Sequence, residues 1–230
     1  MSTTTKTIDT MFSAGAHFGL GRSRRHPTIA TYIFGTKNST DIFDLEKTTP
    51  LLQKATDFVA TLAKEGKTIL FVGGKKEASS AIKIIAQSLD MPYVDSRWIG
   101  GTLTNFGQIR KRIERYEKLT SDREKGELLK YTKRERMLLD KEIASLEKMF
   151  LGIVSLKKQP DALFIIDPRH EKIALKEAKD MNVPVIALAS SDCDISEVQY
   201  PIVGNDAAKT SIQFFAEEIS RAYQAAKKVA

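Results

Sequence analysis

At 230 residues, the chain is long enough for one large domain or two smaller ones with a substantial core. Its 36 lysines and arginines against 29 acids give a formal net charge of +7, which is compatible with a polyanionic partner but does not require one. The single cysteine excludes an intrachain disulfide, and no apolar run approaches the ~18 residues of a membrane span, so the composition predicts a cytoplasmic protein without a membrane partner.

The positive charge is concentrated in two stretches. Residues 1–37 carry five basic residues and one acid, and residues 108–148 carry thirteen basic residues and nine acids. The rest of the chain is close to neutral. A polyanion would therefore contact these two stretches first.

The N-terminal third predicts a short helix, a loop, a β-hairpin and a longer helix. Gly66 stands where a C-terminal glycine cap of the longer helix is expected. The elements are a helix at 8–18, a glycine-rich basic loop at 19–27, strands at 31–35 and 41–45, and a helix at 46–64.

Beyond Gly66, short apolar runs alternate with helical patterns. Such alternation predicts a parallel sheet that helices cover on both faces. The expected strands are 68–72, 92–95, 162–166, 184–189 and 200–203, and the expected helices are 75–89, 171–181 and 206–227.

The charged stretch 106–150 interrupts this alternation. Two apolar stripes at helical spacing flank a polar connector at 120–126 and predict an αα-hairpin with a coiled-coil-like seam. Its second helix would be roughly 28 Å long. The predicted organisation is an α/β/α core formed by 1–105 and 151–230, with a basic N-terminal arm at 1–40 and the hairpin inserted at 106–150.

Polar residues at the predicted strand ends offer an enzymatic alternative. Gly73 and Gly74 precede Lys75 at a strand-to-helix turn, and Asp167 and His170 follow a later strand. These side chains could bind a nucleotide or a phosphosugar at the sheet edge. However, the spacing matches neither a Walker loop nor a dinucleotide fingerprint, and no hydrolase or zinc motif is present. We therefore predict no catalytic residue, no cofactor and no metal.

Arginines and lysines in the charged stretches are the candidates for RNA binding, since structured RNA is recognised through phosphates, shape and stacking. In an antiparallel hairpin, the two basic groups at 110–115 and 133–136 would lie at opposite ends. A solvated coiled coil or a protein-binding adaptor remains an alternative. The candidates are Arg22, Arg24, Arg25, Lys37, Arg97, Trp98, Arg110, Lys111, Arg112, Arg115, Lys133, Arg134 and Arg136.

Several motifs along nearly the whole chain resemble the bacterial small-subunit ribosomal protein S-two family. Each is weak alone, but their combination in this order is specific. The motifs are Ala14-Gly15-Ala16-His17-Phe18-Gly19, Tyr32-Ile33-Phe34-Gly35, Asp44-Leu45-Glu46-Lys47-Thr48, Ile69-Leu70-Phe71-Val72-Gly73 with Lys75, Arg97-Trp98-Ile99-Gly100-Gly101-Thr102-Leu103-Thr104-Asn105, Pro160-Asp161-Ala162-Leu163-Phe164-Ile165-Ile166-Asp167, Glu171 to Ala178, and Gly204-Asn205-Asp206.

The resemblance implies a flavodoxin-like three-layer α/β/α core with a protruding helical hairpin, and no enzymatic activity. It also implies a place in the small ribosomal subunit, in contact with small-subunit rRNA and neighbouring ribosomal proteins, and a role in docking the large mRNA-binding protein S-one. The segment 24–29 and the segment 192–195 depart from the usual family pattern, so contacts made there are expected to differ.

Overall fold

The computed structural model describes residues 3–228, and it shows a mixed α/β fold with helices packed around a parallel sheet. Seven α-helices lie within these residues. They are α1 (Thr3–Ser13), α2 (Leu45–Lys64), α3 (Lys76–Ser88), α4 (Phe106–Glu124), α5 (Lys133–Phe150), α6 (Lys172–Asp180) and α7 (Lys209–Lys227).

The strands form two separate sheets. A three-stranded antiparallel sheet has the order β1-β3-β2, and a five-stranded parallel sheet has the order β5-β4-β6-β7-β8. The strands are β1 (Phe18–Gly21), β2 (Ile33–Lys37), β3 (Thr40–Phe43), β4 (Ile69–Val72), β5 (Tyr93–Val94), β6 (Ala162–Ile166), β7 (Val185–Ala189) and β8 (Tyr200–Val203).

Counted within the parallel sheet, the strand order is 2-1-3-4-5, which is the order of flavodoxin-like doubly wound folds. The predicted alternation of strands and helices is therefore confirmed. In this order the chain changes direction across the sheet between β4 and β6. Crevices that bind ligands form at such a switch point, outside the carboxyl ends of the strands.

Alternate side chains of the same strand enter two different cores. Phe71 and Phe164 face α2, α3 and α7, and their rings meet edge to face at 5.6 Å. Leu70 and Leu163 face the other way and share one apolar cluster with α4, α5 and α6. Because successive side chains of a strand point to opposite faces, a continuously apolar strand needs a helical layer on each side.

Helices α4 and α5 run antiparallel against each other. The Arg115 guanidinium on α4 meets the Glu142 carboxylate on α5, and Arg110 donates to the backbone carbonyl of Val154 beyond the end of α5. At the start of α5, the Thr132 hydroxyl and the Glu135 carboxylate bond reciprocally to each other's backbone N–H. The apolar stripes of α4 and α5 belong to the apolar cluster on this face of the sheet, so both helices are anchored in that core.

The N-terminal region differs from the prediction. The helix expected at 8–18 ends at Ser13, because Gly15 adopts a left-handed φ of +73° and Ala16 N–H closes the helix on the Met11 carbonyl. Part of the expected loop at 19–27 is strand β1, which pairs with β3. A side chain at Gly19 would contact Asp41 and Phe43 on β3, so glycine permits this close pairing while weakening the strand signal in the sequence.

We predict that Gly152→Ala destabilises the fold by about 1–3 kcal/mol, because a methyl group there collides with the Tyr93 carbonyl and lies 2.8 Å from its ring. Urea unfolding measures the change. Gly35→Ala is the control, since a methyl group at Gly35 meets nothing within 4 Å, and it should change stability by less than about 0.5 kcal/mol. Equal stability of the two variants would contradict the close packing between β5 and the end of α5.

Candidate nucleic-acid interface

The loop between β5 and α4 wraps around the Glu177 carboxylate, which α6 places in the interior. Glu177 Oε1 accepts from the indole N–H of Trp98 at 3.2 Å and from Gly101 N–H at 2.8 Å. Its Oε2 accepts from the N–H groups of Leu103 at 3.0 Å and Thr104 at 3.2 Å. Burial raises the pKa of Glu177, but these donors outweigh it and the net shift is downward. Glu177 therefore stays ionised and fixes the loop.

This loop buries one predicted site residue. Trp98 was expected to be available for stacking on RNA bases, but only 4% of it is exposed and its single polar atom bonds to Glu177. A tryptophan near a glycine pair can pack into a core as readily as it can stack on a base. The sequence pattern does not distinguish these two roles. The neighbouring Arg97 is exposed.

Glu177 itself was missed by the sequence analysis, although a signal was present. It lies among buried Ala174, Leu175 and Ala178 on the apolar face of α6. An acid within an apolar stripe must find donors when it is buried. The donors that bind Glu177 are distant in sequence. The stripe therefore indicates that Glu177 needs hydrogen-bond donors, but not which residues supply them.

The N-terminal cations divide into exposed ones and one internal one. Arg22 and Arg24 are exposed in the 3-10 turn that follows β1, and Lys37 is exposed at the end of β2. Gly21 and Lys37 both pair with Thr40 across the sheet, so they stand two strand spacings apart, about 10 Å. The sheet thus brings Lys37 near Arg22, although the two are distant in sequence.

Arg25 forms an internal ion pair and is not a free surface cation. Its guanidinium meets both carboxylate oxygens of buried Asp41, with the Nε–Oδ2 contact at 2.7 Å, and also donates to Thr36. Hydrogen bonding to Arg25 lowers the pKa of Asp41, and Asp41 raises that of Arg25. Because only a quarter of the Arg25 side chain is exposed, it has little capacity left for a phosphate.

On α4, neighbouring cations have different surroundings. Arg110 is 27% exposed and is held by the Val154 carbonyl and by Glu114 and Glu117. Arg115 pairs with Glu142 at 3.2 Å. Lys111 and Arg112 are exposed, and neither belongs to an ion pair within the described part of the chain.

At the start of α5, Lys133 and Arg134 are exposed. Cations in the first turn of a helix oppose the helix dipole, so their position there does not stabilise the helix. Arg136 is half-buried, and its Nε has no hydrogen-bond partner within residues 3–228. The outward cations of this turn are therefore Lys133 and Arg134.

The residues of the enzymatic alternative are occupied with one another. The Lys75 ammonium contacts Asp167 and lies 3.0 Å from Asp206 Oδ2. Burial lowers the pKa of Lys75, but the two carboxylates outweigh it and raise it overall, whereas burial and nearby Asp167 raise the pKa of Asp206 to about 6. Asp167, Cys193 and Asp206 place three possible metal ligands within 4.8 Å of one another, yet the ammonium of Lys75 already stands between the two carboxylates.

His170, the third residue of that alternative, is drawn to a different acid. Its Nδ1 lies 2.7 Å from Glu171 Oε1, and the same oxygen accepts from Gly74 N–H at 3.2 Å. The carboxylate of Glu171 thus fills the anion position that a glycine turn and a helix N-terminus would offer a phosphate.

Comparisons with known proteins agree on one family. The family model described as ribosomal protein S2 matches residues 11–226. The small ribosomal subunit protein uS2 of Wolinella succinogenes is 40% identical over 224 residues, which cover 97% of this chain and 83% of that protein. The uS2 proteins of Helicobacter hepaticus and a Nitratiruptor species are 40% and 42% identical over 216 residues, covering 94% of this chain and 82% and 81% of theirs. No helix in the described part of the chain is long and apolar enough to span a membrane.

We predict that Glu177→Gln lowers the free energy of unfolding by about 2–3 kcal/mol at pH 7, because an amide group replaces one acceptor of the loop N–H groups. The folded pKa of Glu177 lies below its ordinary value of 4.5. Its contribution is therefore complete above that value and is lost as the pH falls through the folded pKa.

Urea unfolding of wild type and variant at neutral and acidic pH tests both parts of this prediction. The difference between them should shrink below pH 4.5. Glu197→Gln is the control, because Glu197 is half exposed and, among the described residues, pairs with Lys179 alone, at 3.5 Å. A Glu177→Gln variant as stable as that control would refute the role of the carboxylate.

Proposed function

The chain belongs to the ribosomal protein S2 family, and from that premise we propose that it binds small-subunit rRNA as a non-catalytic structural component. Membership places it in the small ribosomal subunit, and hence in the ribosome of the cytoplasm, with rRNA and other ribosomal proteins as its partners. Assembly of the subunit and docking of the large mRNA-binding protein S-one are the further roles that we propose.

The observation that carries the RNA proposal is a set of exposed cations without internal carboxylate partners. Where the structure is described, none of the eight belongs to an ion pair. Such side chains are free to neutralise phosphates, and phosphate contacts supply most of the affinity for nucleic acid. They are Arg22, Arg24, Lys37, Arg97, Lys111, Arg112, Lys133 and Arg134.

The other five candidates take a smaller part in this proposal. Arg25, Arg110 and Arg115 are held by acids of the chain itself, Arg136 is half-buried, and Trp98 is buried. We propose that they position the surface cations and do not contact RNA. Removing Arg25 from Asp41 would leave a buried carboxylate without its cation, which costs more than a surface contact gains.

We further propose that residues 106–150 act as an inserted, coiled-coil-like helical hairpin on the α/β/α core. The packing of α4 on α5, with the Arg115–Glu142 pair between them, supports this assignment. Lys111 and Arg112 lie in the second turn of α4, and Lys133 and Arg134 lie at the start of α5, just after the connector. Because Lys111 and Arg112 lie 12 to 13 residues before the end of α4, the two pairs are separated by roughly 19 Å along the helix. That separation suits two different backbone segments of a folded RNA.

An exposed aromatic residue supports a contact with a neighbouring protein. Phe34 on β2 is 80% exposed, the largest exposure among the large apolar side chains in the described residues. Exposed aromatic residues are typical anchors of protein interfaces. We propose that Phe34 contacts a neighbouring protein, for which S-one is the candidate that the family resemblance implies.

We predict that Lys111→Glu combined with Arg112→Glu weakens binding to small-subunit rRNA and lowers the salt slope of log K by about 1–2, since each lost phosphate contact removes up to about 0.9. Arg110 is left unchanged because it is tied to Val154 and Glu117. Filter binding at several salt concentrations measures the effect.

The matched control is Lys54→Glu combined with Lys64→Glu. Both lysines are exposed on α2, which covers the opposite face of the sheet, and the change of net charge is the same. Equal losses in the two double variants would mean that net charge alone governs binding, and would contradict the proposed interface.

We also predict that Phe34→Ser reduces the amount of S-one that co-sediments with purified small subunits by about tenfold or more, because an interface anchor is lost. Ile84→Ser is the control, since Ile84 is 66% exposed on α3. Full retention of S-one by the Phe34 variant would remove this residue from the proposed protein contact.

A further inference from the structure

A cavity of about 390 Å³ opens at the switch point of the parallel sheet. Its walls come from the segments that follow β4, β5 and β6, so it occupies the crevice that a 2-1-3-4-5 strand order creates. Its volume falls in the range of cavities that hold small organic groups. The lining residues are Gly74, Arg97, Trp98, His170, Glu171 and Ile173.

One end of the cavity is closed to anions. A side chain at Gly74 would lie 2.6 Å from Glu171 Oε1 and 2.7 Å from the Ser96 carbonyl, so glycine is required for this close approach. The carboxylate of Glu171 caps the Gly74 N–H. A phosphate consequently cannot occupy the N-terminus of α3, as it would in a nucleotide-binding enzyme of this topology.

The other walls remain available and differ in chemistry. Arg97 is exposed and belongs to no ion pair in the described part of the chain. Half of the His170 side chain is exposed, with Nδ1 held by Glu171. Ile173, at the start of α6, exposes 46% of an apolar side chain. A cation, a flat ring and an apolar surface in one cavity match the phosphate and the base of a nucleotide.

We propose that this cavity binds one unstacked nucleotide of RNA, with its phosphate on Arg97 and its base against His170 and Ile173. The inference rests on the proposed function, because it assigns the RNA contact of Arg97. Single-stranded loops and bulges of folded RNA present such bases, whereas a duplex does not. A free nucleotide has the same chemistry and is the alternative source of the ligand.

The experiment uses Trp98, the only tryptophan in the chain, which is one of the residues that line this cavity. The full-length protein is titrated with a single-stranded adenosine hexanucleotide, a duplex RNA of equal length, and AMP, while tryptophan emission is recorded. We expect a saturable change with the hexanucleotide, and binding at least about tenfold weaker for the duplex and for AMP.

Variants locate the binding. Arg97→Gln and Ile173→Ser should each weaken the hexanucleotide by about fivefold or more. The matched controls are Lys54→Gln on α2 and Ile84→Ser on α3, which are exposed outside the cavity and should leave the emission titration unchanged. Thermal unfolding of each variant verifies that it is folded.

The possible failures can be told apart. Unchanged titrations for the Arg97 and Ile173 variants would overturn the cavity assignment, and filter binding to whole rRNA that still responds to Lys111 and Arg112 would leave the proposed function standing. AMP binding as tight as that of the hexanucleotide would overturn the RNA source in favour of a free nucleotide. No rRNA binding by the wild-type protein would overturn the proposed function and this inference together.

Discussion

The hydrogen bonds to the Glu177 carboxylate decide where much of the surface chemistry lies. Three backbone N–H groups and one indole N–H converge on this buried side chain. A buried carboxylate without donors would cost several kcal/mol, so loop and carboxylate must form together. The loop leads directly into α4, and Ser96 within it donates to the Lys148 carbonyl on α5. By fixing this loop, Glu177 fixes the start of α4 and therefore the position of the cations on that helix.

The same residue types do different work according to their distance from a carboxylate. Arg25 and Arg110 have acids within hydrogen-bonding reach and act as internal cross-links. Arg24 and Arg112 lie close to them in sequence and are free in solvent. Some cations of the chain are held in internal ion pairs and others are exposed to solvent. The net charge of +7 does not distinguish the two groups. The free cations are the ones that can exchange solvent ions for phosphates.

The carboxyl edge of the sheet shows how a ligand-binding topology can be filled from within. Lys75 supplies a cation to Asp167 and Asp206, and Glu171 supplies an anion to the turn after β4. Both groups occupy positions that substrates or metals take in enzymes with this strand order. What remains is a cavity at one side of the turn, lined by Arg97, His170 and Ile173. The chain thus has the strand order of a ligand-binding fold, but its own side chains occupy two of the positions where ligands bind.

The sequence alone determined the order of strands and helices and the place of the charged stretch. The apolar run 162–166 became a strand with those bounds, because a strand buried on both faces must be apolar throughout. Gly66 adopts the left-handed φ of +63° that its position after the α2 pattern predicts. Short β1 escaped prediction, since its pairing depends on a close approach to Asp41 that leaves no periodic signal. Tertiary structure alone decided that Trp98 is internal, that Arg25 serves Asp41, and that Lys37 lies near Arg22. Each of these outcomes depends on contacts between residues that are far apart in the sequence. The periodicity of a segment indicates which of its side chains are buried, but not which residues of other segments they contact.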